Sequence, residues 1–251
     1  MIHKLSLCAS SLLGAIGAMT AHATTPRARA DAVQIPASIR AESADLARLA
    51  PDADPEVLSL AIAAMKCAQS DGVGVGAARL AVIDYSRPSL QPRLWVFDLA
   101  ADKLVFEEVV AHGRGSGDDV PTQFSNREGS HESSIGLFVT ADTYSGHNGY
   151  SLRMRGLEPG VNDQAMPRAI VMHGADYVDV GRGQSMGRLG RSWGCPAVRK
   201  AVAKPMIDLL KDGQFLFSYY PDTDWLQRSA LLHCPALQAS AAIEAKAAPL
   251  R

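Results

Sequence analysis

Apolar positions with helical spacing stand out between residues 54 and 70. Three of them recur every three or four residues and would share one face of a helix: Leu58, Ile62 and Met65. Asp54 offers a capping carboxylate, Pro55 suits the first turn, and Asp71-Gly72 is a typical end. The pattern therefore predicts a helix over residues 55–69.

After Gly76 the pattern changes to short β-rich runs separated by turn-rich segments. Seven runs predict strands, at residues 80–85, 94–99, 104–110, 136–140, 151–155, 170–172 and 214–219. Residues 100–103 are a predicted hairpin connection, and residues 200–212 are the one helix predicted inside this region. The predicted fold class is mainly β, a sandwich or barrel with few helices, preceded by a short N-terminal helical segment.

Residues 1–23 have the pattern of a secretory signal peptide. Lys4 gives a basic start, residues 5–19 form an apolar stretch, and Ala21-His22-Ala23 suits cleavage. The stretch is shorter than the roughly 20 residues of a spanning helix, so the protein is expected to be exported to the periplasm or cell envelope and not to span a membrane. The remaining predicted parts are a lead-in and helix at 24–78, a main domain at 79–235 and a tail at 236–251. Within the lead-in, residues 24–52 are expected to be irregular and mobile.

Composition and cysteine count further limit the class of protein and the state of its cysteines. With a net charge of −1, 47% hydrophobic and 20% charged residues, the chain is an ordinary globular protein without the charge that favours nucleic acid. Export would leave Cys67, Cys195 and Cys234 where disulfides can form. A Cys67–Cys234 bond would leave Cys195 free, although spacing alone does not determine connectivity.

A histidine and a cysteine in one segment suggest nucleophilic chemistry. His173 follows an apolar strand, where the ring could reach a cleft, and Gly194 before Cys195 leaves room for substrate near the backbone. A thiol with a pKa of about 8.5 is mostly protonated at neutral pH, so it needs a base such as imidazole. The backbone N–H groups of Gly194 and Cys195 are candidate donors to an oxyanion.

The residues around this pair resemble a known family. His173-Gly174, a long loop and then Ser192-Trp193-Gly194-Cys195-Pro196-Ala197 are similar to the signature of the L,D-transpeptidases, the enzymes that cross-link bacterial cell walls. The resemblance extends over residues 79–220. This sequence departs from many members at Trp193, where a second histidine is common, and at Ala197, where asparagine or arginine is common.

The resemblance implies an L,D-transpeptidase-like β fold and a cysteine-dependent acyltransferase that needs no cofactor. It implies that Cys195 accepts the acyl group, that His173 is the base and that the Gly174 carbonyl orients the imidazole. Peptidoglycan stem peptides are the implied partner of a protein expected to be a monomer. An amine acceptor would make it a transpeptidase, and water a carboxypeptidase. Five residues are candidates for substrate contact: Arg191, Ser192, Trp193, His112 and Ser134.

Alternatives to these roles are open. His112 could be a surface-loop histidine, Ser134 a turn residue and Trp193 a core residue. His112 and Asp119 have a spacing used by zinc peptidases that act on the same polymer, although a catalytic zinc needs three protein ligands. A non-catalytic peptidoglycan-binding protein is the third class.

Overall fold

The computed structural model describes residues 33–247, and the predicted signal peptide lies outside this range. It contains six helices: α1 (Ala37–Leu49), α2 (Pro55–Ser70), α3 (Val180–Met186), α4 (Lys200–Leu210), α5 (Thr223–Arg228) and α6 (Pro235–Ala247). Its eight strands are β1 (Arg79–Asp84), β2 (Leu94–Asp98), β3 (Lys103–Glu108), β4 (Gly136–Gly146), β5 (Gly149–Gly156), β6 (Val171–Ala175), β7 (Ala197–Arg199) and β8 (Phe215–Tyr219). Within the described range, every helix is too short or too polar to cross a membrane.

The eight strands form one sheet in the order β3-β2-β1-β8-β4-β5-β6-β7. Neighbours pair antiparallel except for β1 with β8 and β6 with β7, which are parallel. All seven predicted strands are present. The mainly β fold class is therefore confirmed, while β4 continues further than predicted and β7 was not predicted.

Contacts between the two edges of the sheet close it into a nearly complete barrel. Ala111, which lies just beyond β3, bridges Ala197 of β7. Arg199 of β7 donates two hydrogen bonds to the carboxylate of Glu108, which is buried at the end of β3. Pairing the edges satisfies backbone groups that an open sheet would expose. It also fixes the strand that begins two residues after Cys195.

Alternating side chains of the strands supply two hydrophobic cores. On β1, Leu80 and Val82 join the core that includes α1, α2 and α6, whereas Ala81 and Ile83 join the core that includes α4. Successive strand residues point to opposite faces, so a strand covered on both faces is apolar throughout. This burial explains the uninterrupted apolar runs of the sequence.

Residues 37–49 correct the expected irregular lead-in. They form α1, in which Ile39, Ser43 and Leu46 are buried at helical spacing. The Ser43 hydroxyl hydrogen-bonds the hydroxyl of Ser59 on α2 at 2.7 Å. The apolar face of α1 is narrow, so its sequence pattern is weak and packing against α2 stabilises the helix.

Helix α2 agrees with its prediction. The Asp54 side chain accepts a hydrogen bond from the Glu56 N–H at 2.9 Å, and the helix ends before Asp71. Cys67, near its end, is joined to Cys234 as a disulfide with the Cα atoms 6.2 Å apart. The bond ties α2 to the segment that leads into α6, and Cys195 is the free cysteine of the described range.

Two short helices were not predicted. Asp179 caps the start of α3 and Asp222 caps the start of α5, and each carboxylate accepts a hydrogen bond from a first-turn N–H. The prediction of a single helix inside the main domain is therefore wrong. Both helices are only one or two turns long, which leaves too little periodic pattern to detect.

Candidate active site

The Ser192 side chain holds the turn that presents Cys195. Its hydroxyl accepts a hydrogen bond from the Gly194 N–H at 3.1 Å and donates to the Cys195 carbonyl at 2.6 Å. Ser192 is buried, so both bonds are shielded from water. The serine of the motif therefore has a structural task, and the Gly194 N–H that was a candidate oxyanion donor is already engaged.

Gly194 is required by the backbone of this turn. Its φ is +123°, and an added Cβ would lie 2.8 Å from the Glu132 carbonyl oxygen. Gly113 packs directly against it, because a Cβ there would come within 2.9 Å of the Gly194 nitrogen. The neighbouring His112 carbonyl accepts a hydrogen bond from Ser192 N–H at 2.9 Å. The glycine-rich loop after β3 thus supports the cysteine turn.

His173 lies on β6, where its backbone pairs with β5 and β7. Its ring Nδ1 is 3.1 Å from the Gly174 carbonyl oxygen. Because a carbonyl can only accept, Nδ1 carries the proton and the neutral ring keeps a free lone pair on Nε2. Burial lowers the pKa of His173, and the bond to Gly174 offsets part of that effect.

Cys195 is 7% exposed and is the free thiol of the site. Its sulfur lies 3.5 Å from the Val171 N–H and 3.7 Å from the Ala169 carbonyl oxygen. Burial raises the pKa of Cys195, against smaller lowering effects of the Val171 N–H, Arg168 and its own N–H. With the pKa of His173 lowered, the pair rests as neutral thiol and neutral imidazole at neutral pH.

Two cavities meet at Cys195. The smaller, of about 280 Å³, is also lined by His147, Asn148, His173, Tyr177, Arg191, Ser192 and Trp193. The larger, of about 430 Å³, shares Asn148 and Trp193 and extends to Glu128, Gly129, His131, Pro167, Arg168, Ala169 and Ile170. Space is therefore available on two sides of the thiol.

Trp193 stands between these cavities on the protein surface. It is 68% exposed, which excludes the alternative of a core residue. Its ring stacks on His131 with centroids 5.0 Å apart, and the Arg114 guanidinium lies 5.3 Å from the ring centroid. These contacts hold an exposed aromatic ring on the lining of both cavities.

Arg191 lines the smaller cavity, but its charge is partly engaged. Its guanidinium donates to the Gly117 carbonyl and pairs with Asp118 at 3.4 Å. Asp118 is exposed and also pairs with Arg188. Arg191 can therefore offer its remaining N–H groups to a ligand while the loop keeps it in place.

The structure places His112 and Ser134 away from both cavity walls. His112 is buried, with Nδ1 2.8 Å from the Arg93 guanidinium, and burial followed by Arg93 lowers its pKa to about 3. Ser134 donates to the Ser125 carbonyl and accepts a hydrogen bond from Arg168. Neither side chain lines a cavity at Cys195 in this structure, and both have hydrogen-bond partners within the protein.

Several cavity residues were not identified from the sequence. Tyr177 lies edge-on to His173 with ring centroids 6.5 Å apart, and burial raises its pKa. His147 and Asn148 form the tip of the β4–β5 hairpin, where the sequence indicates only a turn. Arg168 donates to four acceptors on the 125–134 segment. No pattern in the sequence marks these residues, because distant loops bring them to Cys195.

The ligand set that a zinc peptidase needs is not assembled in residues 33–247. No three His, Cys, Asp or Glu side chains of this range lie together in a way that could hold a metal ion. Asp119 accepts hydrogen bonds from Ser89, and His112 contacts Arg93. The two proposed ligands thus have other partners.

Comparison with known protein families shows which family this chain belongs to. A family described as the L,D-transpeptidase catalytic domain matches residues 49–219. The chain belongs to this family. The match covers the Cys195 turn, His173 and every strand of the barrel.

Solved structures similar to this L,D-transpeptidase domain are distant. They include an L,D-transpeptidase from Mycobacterium smegmatis (12% identity, TM-score 0.35, 57% of this chain and 59% of that one). Another match is the cell shape determining protein Pgp2 from Campylobacter jejuni, with 11% identity and a TM-score of 0.39 over 58% of this chain and 48% of that one. A third is Bd1075 from Bdellovibrio bacteriovorus, with 16% identity and a TM-score of 0.37 over 68% of this chain and 55% of that one. The chain thus spans about half the length of these proteins. No curated protein matches it significantly.

Proposed function

We propose that the protein cleaves or exchanges peptide bonds in peptidoglycan stem peptides, with Cys195 as nucleophile and His173 as base. The observation that carries the proposal is the hydrogen bond from His173 Nδ1 to the Gly174 carbonyl, which leaves Nε2 as a proton acceptor on a residue that lines the same cavity as Cys195. Membership of the L,D-transpeptidase family supports the substrate class.

Acylation starts from the neutral pair. The Cys195 thiol gives its proton to Nε2 of His173 as the sulfur attacks the carbonyl of the L-centre residue in a tetrapeptide stem. A C–S bond forms and the carbonyl electrons move onto oxygen, where the Cys195 N–H is the candidate donor. The C–N bond to the terminal D-residue then breaks. The imidazolium gives its proton to the leaving amine, and a thioester remains.

Deacylation reverses the proton flow. An amine or a water gives a proton to His173 as it attacks the thioester, the C–S bond breaks, and the thiol recovers the proton. The two cavities at Cys195 give room for a stem on one side and an acceptor on the other. An amine acceptor gives a cross-link and water gives a trimmed stem.

The same proposal includes where the protein works. Peptidoglycan lies outside the cytoplasm, and the Cys67–Cys234 disulfide of the structure is the kind of bond that persists in oxidising compartments. Both fit the export that the first 23 residues predict. We therefore place the protein in the periplasm or cell envelope.

The proposal is tested with purified protein and tetrapeptide muropeptides, by following release of the terminal D-amino acid. Cys195→Ala and His173→Ala should each abolish release, whereas Ile243→Ala, on an exposed helix position, should leave it unchanged. Release that survives Cys195→Ala but is lost to a chelator would favour the zinc peptidase. Peptidoglycan binding without any release would favour the binding protein.

A further inference from the structure

Ser133 touches Gly194, the residue that precedes the proposed nucleophile. Its hydroxyl donates a hydrogen bond to the Gly194 carbonyl oxygen at 3.0 Å and accepts one from the Gly113 N–H at 3.0 Å. Its own N–H donates to the Ser116 hydroxyl at 2.8 Å. Ser133 is buried, so these bonds fix the direction of its hydroxyl without competition from water.

The direction of the Gly194 carbonyl determines where the Cys195 N–H points. The two groups belong to one planar trans peptide unit and face opposite ways. Because the carbonyl is held inward by Ser133, the Cys195 N–H faces the other way.

The Gly194–Cys195 peptide unit needs hydrogen bonds to fix its orientation, because it follows a glycine. Gly194 has a φ of +123° and no Cβ to restrict rotation of the chain. Its N–H is held by Ser192, but its carbonyl is held by Ser133. Ser192 thus fixes one side of Gly194 and Ser133 the other.

We infer that Ser133 is a positioning residue that aims the Cys195 N–H at the oxyanion formed during acylation. The inference rests on the proposed function, because only an acyl-transfer reaction forms that oxyanion. Ser133 does not line either cavity at Cys195 and acts through the Gly194–Cys195 peptide unit.

Two reagents separate this role from a general effect on the thiol. In alkylation by iodoacetamide, sulfur displaces iodide, a C–S bond forms as the C–I bond breaks, and no oxyanion develops. In acylation by a carbapenem, sulfur attacks the lactam carbonyl, negative charge develops on oxygen, and the ring C–N bond breaks with protonation of nitrogen. A misdirected N–H should slow the second reaction alone.

The experiment measures both rates on the full chain by intact mass. Ser133→Ala should lower the carbapenem acylation rate about 10- to 100-fold, less than the loss of a whole oxyanion donor, and leave alkylation within about twofold. Ser133→Thr keeps the hydroxyl and should restore most of the acylation rate. Ser43→Ala also removes a buried serine hydroxyl, but between α1 and α2, and should change neither rate.

Tyr85→Phe provides a second variant if Ser133→Ala does not fold. The Tyr85 side chain interacts with Ser133, so its loss should slow acylation in the same direction but less. Equal effects on acylation and alkylation, or no effect on either, would overturn the inference. Failure of the unmodified protein to react with carbapenem and muropeptide would overturn the proposed function, and the inference with it.

Discussion

Burial sets the resting protonation of Cys195 and His173, the proposed catalytic pair. It raises the pKa of Cys195 and lowers the pKa of His173, so the stable state at neutral pH is thiol and imidazole and not an ion pair. In such a pair the histidine must remain unprotonated to act. Its lowered pKa keeps the neutral base available at a more acidic pH than an ordinary histidine would.

The expected pH profile follows from the lowered pKa of His173. The acid limb of kcat/KM for stem-peptide acylation should have its midpoint below the ordinary histidine value of about 6.5, because kcat/KM reports the free enzyme. The measurement is the rate of D-residue release at low substrate over a pH series. A midpoint at or above about 6.5 would contradict burial of the His173 ring as the dominant influence.

Trp193 offers a prediction about binding. Replacing it by alanine should raise KM about three- to tenfold, because an aromatic face beside both cavities is lost, while thermal stability changes little at so exposed a site. Trp193→Phe should recover part of the effect. Val75→Ala, at another exposed apolar position, is the matched control. An unchanged KM in Trp193→Ala would remove Trp193 from the substrate site.

Only part of the site is visible in the sequence. Cys195, His173 and Ser192 are recognisable because their chemistry and spacing form a motif. Arg168 and Asn148 are not, because a lone arginine or a turn asparagine gains its position from a distant segment. His112 misled the prediction for the opposite reason, since burial against Arg93 removes a chemically suggestive side chain from the cleft.

The barrel closure depends on a charge pair between β3 and β7. Arg199→Ala would leave the buried Glu108 carboxylate without its partner and should lower the free energy of unfolding by about 1–3 kcal/mol. Arg182→Ala breaks the exposed pair with Asp179 and should cost less than about 0.5 kcal/mol. Urea unfolding of both variants is the measurement. Equal losses would show that Glu108 and Arg199 do not hold the closure.

The strands and helices differ in how well the sequence predicts them. Strands covered on both faces, such as β1 and β8, give apolar runs that are easily read. Strand β7 has three residues, and α1 buries only a narrow face. Neither segment therefore has enough hydrophobic periodicity to be predicted from the sequence. Strand β7 depends on pairing with β6 and on its bridge to Ala111, and α1 depends on packing against α2.

The disulfide connects the N-terminal helices to the C-terminal end of the described chain. Reduction of Cys67–Cys234 should lower the free energy of unfolding by about 2–4 kcal/mol, because it frees a long loop in the unfolded chain. The double variant Cys67→Ala/Cys234→Ala should no longer respond to reductant. Activity should persist in the folded reduced protein, since the bond lies in the core opposite α4. Mass spectrometry that finds both thiols free in unreduced protein would contradict this account.

The whole molecule, a nearly closed barrel, places a neutral thiol at the meeting of two cavities and a neutral imidazole on the wall of one of them. The acyl-enzyme is the species that this arrangement is proposed to form. Intact-mass analysis after acid quenching with tetrapeptide muropeptide should show an adduct equal to the stem without its terminal D-residue, on Cys195, and no adduct in Cys195→Ala. Release of the D-residue at an undiminished rate by Cys195→Ala, without any adduct, would contradict the account.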